Sequence, residues 1–99
     1  MAPAYTVVAN FHVRDGSIDA MKQVIDEVTR QSLGEEGCQI YHWSKGAEDP
    51  ALFLLYMEWR DKASFDAHVA SPDVQKAERC IERENLLTKP AGEWHFYRL

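Results

Sequence analysis

The stretch A-L-F-L-L-Y-M-E-W, Ala51 to Trp59, hardly alternates. A strand with one solvated face reads apolar, polar, apolar, whereas a near-continuous apolar run belongs to a sheet covered on both faces. The flanking sequence says what the covers are. Upstream, a first strand is expected from Ala4 to Arg14, closed by the turn pair Asp15-Gly16. Ser17 is placed to cap a helix with Asp19 in its first turn, and Ile18, Met21, Val24, Ile25 and Val28 recur at steps of three and four as one apolar stripe. That helix stops near Leu33-Gly34. Glu35-Glu36-Gly37 then turns the chain into a second strand, Cys38 to Lys45, and Gly46 to Pro50 form the loop into the third, Ala51 to Arg60.

Downstream, Asp61 caps a short helix through Ala70 with Phe65, His68 and Val69 on one face. Ser71-Pro72, a capping Ser before a first-turn Pro, starts another helix that is expected to run to about Thr88 on Val74, Ala77, Ile81 and Leu86 or Leu87. Pro90 and Gly92 break it, and Glu93 to Leu99 end as a fourth strand. Strand, helix, strand, strand, helix in two pieces, strand is the ferredoxin-like α+β order, βαββαβ, with an antiparallel four-stranded sheet and its helices on one face. The simplest cover for the other face is the same sheet of a second subunit, although a large ligand would also serve.

A chain of 99 residues fits one domain, 1–99, and its 45% hydrophobic and 27% charged residues are ordinary for a folded protein. The net charge of −5, with Lys and Arg scattered, disfavours a nucleic-acid partner. No apolar run approaches the roughly 20 residues that span a bilayer, and Met1 to Tyr5 has no basic leader, so a cytoplasmic protein with no membrane partner is expected. Cys38 and Cys80 are too few and too far apart for a zinc knuckle or redox pair, and read as small buried apolar residues. Phosphate-binding glycine loops, HExxH and internal repeats are absent from the sequence.

Candidate site residues stand out against this frame. Asn is a poor strand former, yet Asn10 sits in T-V-V-A-N-F-H-V, and His12, two residues on, shares its face of the strand. Such a pair can line a pocket; the plainer reading is an Asn bonded to nearby backbone and a solvated His. His68 suits a general base or an orienting group, or else a core histidine tied to a carbonyl. Among the aromatics, Trp59 ends the third strand just before the helix of His68, and with Tyr56 and Trp43 it is a candidate ligand contact.

The run Glu35-Glu36-Gly37-Cys38 into Tyr41, the loop Glu48-Asp49-Pro50, then Phe53, Tyr56, Glu58-Trp59, Phe65, His68 and Ser71-Pro72 together resemble the antibiotic biosynthesis monooxygenase family of dimeric α+β barrels, over Val7 to Leu99. The resemblance implies a homodimer whose two sheets meet face to face, and cofactor-free oxygenation of a small electron-rich aromatic, a quinol or anthrone, by O2. Asn10 matches the strand-one Asn of the family's haem-degrading branch. That branch also carries a Trp in the short helix and a His further on, where this chain has His68 and Glu78, so the axial ligand is missing and no cofactor is expected. A His at the position of His68 is what quinol-oxidising relatives show. The expected site therefore has His68 as base and Asn10, with Tyr56 or Trp43, as donor to the oxyanion, in a cavity between sheet and helices. Trp59, Tyr56, Trp43 and His12 are the expected substrate contacts. An isomerase of a small carbonyl compound and a non-catalytic ligand-binding dimer are the alternatives.

Overall fold

The computed structural model describes residues 4–90 and 93–98. Its elements are β1 (Tyr5–His12), α1 (Ile18–Leu33), β2 (Cys38–Lys45), β3 (Leu52–Trp59), α2 (Lys62–Val69), α3 (Pro72–Arg83) and β4 (His95–Arg98). The four strands form one sheet in the order β2-β3-β1-β4, each neighbouring pair antiparallel. This is the ferredoxin-like α+β fold. Gly92 and Leu99, given above to a helix break and the end of the fourth strand, lie outside the described residues, as do Met1 to Pro3.

Strand parity decides what faces the helices. Along β1 Tyr5, Val7, Ala9 and Phe11 are buried, and along β3 Phe53, Leu55, Met57 and Trp59, with half-buried residues between them. Register pairs Val7 with Met57, Ala9 with Leu55 and Phe11 with Phe53, so one face is a continuous apolar layer under the helices. From α1, Met21, Ile25 and Val28 pack onto it, and from α2 Phe65. Thr6, Val8, Asn10, His12, Leu52, Leu54, Tyr56 and Glu58 make up the opposite face, half-buried in one chain. The long apolar run of β3 thus divides into a covered half and an open half.

Local chemistry ends the helices. Asp61 accepts the Ser64 N–H at 2.8 Å and Ser71 accepts that of Val74 at 3.2 Å, both as expected of caps. Those two donors from Ser64, hydroxyl first and N–H second, hold the Asp61 carboxyl below its usual range. Ser17 differs: its φ and ψ of −108° and 5° aim the hydroxyl away, and it makes no side-chain cap bond. The third helix stops at Arg83 rather than near Thr88, because Asn85 turns left-handed at φ 53°. Beyond it the chain crosses the end of β1, where the Arg14 N–H donates to Leu86 O (2.7 Å), the Thr88 N–H donates to His12 O (2.9 Å), and Leu86 enters the core. Cys38 and Cys80 are half-buried rather than core residues, since neither α3 nor the start of β2 is fully covered, and desolvation raises both thiols.

Candidate active site

Between the covered face of the sheet and the three helices lies a cavity of about 660 Å³. Phe11, Tyr41, Trp43, Leu55 and Met57 form its floor, Met21, Val24 and Val28 one wall, and Val74, Ala77 and Ile81 of α3 another. The segment after α3, from Asn85 to Pro90, together with Trp94 closes the end. Charge is confined to Arg14, Glu78, Glu82 and Lys89, each exposed. Arg14 is already committed, donating to the backbone oxygens of Asn85 and Leu87.

Two titratable groups are buried at this cavity, His68 and Tyr41. His68 is 4% exposed, its ring tilted by 39° against Trp59 at 4.7 Å and set edgewise 5.6 Å from Tyr41. Its Nδ1 lies 2.6 Å from Glu35 Oε1. Burial pushes the Tyr41 phenol up to about 12, with the polar neighbours Trp43 and Ser32 pulling weakly the other way. The side-chain polar atoms of Trp43 (Nε1), Ser32 and Thr29 are buried without a hydrogen-bond partner among the described residues. Unpartnered buried polar groups are unusual in a protein interior, and of these three residues Trp43 is the one that lines the cavity.

The structure divides the expected site residues in two. His68 and Trp43 line the cavity. Trp59 does not; it is fully buried behind the His68 ring, with Nε1 directed to Met57 Sδ at 3.4 Å. The expected placement of Asn10, His12 and Tyr56 in this cavity does not hold, because they belong to the open face: Asn10 pairs with Leu54 and His12 with Leu52, and the Tyr56 hydroxyl donates to Glu58 Oε2 at 2.6 Å. The inward position beside Asn10 is held by Ala9, fully buried. One residue along a strand is the other face. Glu35 and Tyr41, both in the motif quoted for the resemblance, are not among the expected site residues, yet Tyr41 lines the cavity and Glu35 touches His68. Glu78, standing where the haem branch has its ligand, does line the cavity. Among the described residues, no three His, Cys, Asp or Glu side chains cluster as a metal site would need.

Comparison with known proteins places this geometry. The family model of the antibiotic biosynthesis monooxygenases matches residues 4–79. The chain belongs to the antibiotic biosynthesis monooxygenase family. Within this family's reach, it is 25% identical over 92 residues to Rv0793 of Mycobacterium tuberculosis, a protein whose name assigns it provisionally as a monooxygenase, covering 93% of this chain and 88% of that one. A conserved protein from Methanosarcina mazei Go1 superposes with TM-score 0.90 at 26% identity, covering 97% of this chain and 92% of its own. A Nitrosomonas europaea protein bearing the family's name superposes at 0.91 with 18% identity, over 100% and 92% of the two chains, which is a likeness of fold. No helix among the described residues of this family member is long and apolar enough to cross a membrane.

Proposed function

We propose that the chain is a monooxygenase acting on a small electron-rich aromatic, a quinol or anthrone, without a cofactor, in the cavity between sheet and helices. The observation that carries this reading is a buried imidazole, His68, in the wall of an apolar, aromatic-lined cavity of about 660 Å³. Imidazole ordinarily titrates near neutral pH, which suits it to removing a proton from a phenol or an enolisable C–H. Trp43 Nε1 and the Tyr41 hydroxyl, which stays protonated at neutral pH, are the donors for the oxyanion that forms.

The chemistry balances for an anthrone. His68 takes a proton, and the anion passes one electron to O2. The carbon radical and superoxide join in a C–O bond. The resulting peroxide regains the proton from His68, and the O–O bond then breaks as the second proton leaves the same carbon. A carbonyl remains on the substrate and the other oxygen departs as water. The apolar walls favour O2 and exclude water from the radical pair.

The protein would work as a homodimer. The open face of the sheet carries Val8, Ile40, Leu52 and Leu54 with Tyr56 among them, an apolar surface that a second copy of the same sheet would cover in a dimeric α+β barrel.

The test is O2 uptake by metal-free protein with a panel of quinols and anthrones, autoxidation subtracted, beside His68→Ala. Saturable uptake that falls by about 10²- to 10⁴-fold in the variant is expected for loss of a general base. Uptake at the blank level, or uptake indifferent to His68→Ala, refutes the reading and favours the isomerase or the non-catalytic dimer.

A further inference from the structure

We propose that Glu35 is a positioning residue whose carboxylate fixes His68 in the Nδ1–H tautomer, leaving the lone pair of Nε2 for the cavity. The inference rests on reading His68 as the base, but its decisive measurement does not depend on turnover.

Two heavy atoms 2.6 Å apart share a proton, and a carboxylate has none to give, so the proton resides on Nδ1 of His68. A histidine side chain free in water prefers the opposite form, with the proton on Nε2 and the lone pair on Nδ1. Left to itself the ring would therefore present mostly an N–H to a substrate. With Nδ1 bonded to Glu35, the atom able to accept a proton is Nε2. Trp59 and Tyr41 flank the ring and limit its rotation, so the choice of nitrogen is set from behind.

The loop bearing Glu35 is built to hold it there. The Glu35 N–H closes onto Ser32 O at 3.0 Å just past the end of α1, and Cys38 N–H returns to Glu35 O at 3.2 Å. Two residues on, Gly37 is left-handed at φ 84°, and its carbonyl accepts the Arg60 N–H at 2.7 Å. A Cβ at Gly37 would stand 2.6 Å from Ser64 Cβ, so the loop is seated directly on the first turn of α2, the helix that carries His68. Glu35 itself lies outside the cavity lining, with a quarter of its side chain exposed, and touches the reaction only through the ring. Arg60 pairs with Glu36 and Asp61, leaving the Glu35 carboxylate to His68.

Imidazole-nitrogen NMR on histidine-labelled protein reads the tautomer directly, with His68→Gln identifying its signals among the four histidines. The expected spectrum has His68 protonated on Nδ1 and bare on Nε2. Glu35→Ala should move the population to the Nε2–H form, while Glu35→Gln, which keeps an acceptor oxygen, should restore part of it. Where substrate is turned over, Glu35→Ala should lower kcat by about 10- to 100-fold with little change in KM, less than the loss of the base itself. A wild-type His68 with its proton on Nε2, or an Nδ1–H form that survives Glu35→Ala, overturns the proposal even if O2 uptake is present. An inactive protein with the expected tautomer refutes the oxygenase and leaves the Glu35–His68 arrangement standing.

Discussion

Replacing Gly37 by Ala tests the loop on which the site depends. The new Cβ meets two penalties. At φ 84° an L side chain crowds the backbone, at about 1–2 kcal/mol. The methyl would also sit 2.6 Å from Ser64 Cβ and press on its hydroxyl, and crowding of that kind in packed surroundings costs about 1–3 kcal/mol. Ser64 cannot easily retreat, because its hydroxyl donates to Asp61 at 2.8 Å and accepts from Arg60 at 3.3 Å. The expected loss is about 2–5 kcal/mol, and Tm should fall by roughly 10 °C or more for a chain of this size. Urea unfolding followed by tryptophan fluorescence measures it, with Ser64→Gly alone and combined completing a double-mutant cycle. The steric part should vanish in the double variant, giving a coupling of about 1–3 kcal/mol, while the left-handed penalty remains. A loss below about 1 kcal/mol for Gly37→Ala, or costs that simply add, would mean that the loop is not seated on α2.

Two further expectations concern pH and assembly. The Tyr41 phenol is raised from its ordinary 10 to about 12, so its contribution is intact below pH 10 and is lost as pH climbs from 10 to 12, where the unfolded chain sheds the proton that the folded chain keeps. Two units correspond to about 3 kcal/mol, and Tyr41→Phe should remove that share of the alkaline slope in unfolding curves taken across this range; an unchanged slope refutes the burial argument. Leu54→Lys, on the open face, should leave the helix-covered core folded by circular dichroism and yield a monomer in sedimentation velocity, against the dimer expected of the wild type. A wild type that is monomeric at all concentrations, or a variant as dimeric as its parent, would sink the face-to-face arrangement.

Much of the fold was legible because its signals are local. The apolar stripe of α1, the caps Asp61 and Ser71-Pro72 and the turn at Gly46 to Pro50 each depend on a few neighbouring residues, and each holds in the structure. The end of α3 does not follow from local propensity, because the chain leaves the helix at Asn85 in order to pair with β1, more than seventy positions away. The site was half legible. His68 and Trp43, chosen by residue type and place, line the cavity, whereas Asn10, His12 and Tyr56, expected beside them, lie on the other face of the sheet. Parity states which residues share a face and not which face is inside. The answer was nevertheless present in β1, since Val7, Ala9, Phe11 and Val13 are uniformly apolar while the alternate set, Thr6, Val8, Asn10 and His12, is not. The pairing of Glu35 with His68 joins residues 33 positions apart and requires tertiary structure.

The third helix has a consequence for how occupancy and integrity are linked. Among the described residues α1 and α2 each bury part of their apolar stripe fully, whereas in α3 Val74, Ala77 and Ile81 are half-buried, packed against the core on one side and lining the cavity on the other. A molecule bound in that space would add contacts to the cavity-facing side of α3, so by mass action it would stabilise the folded chain and α3 with it.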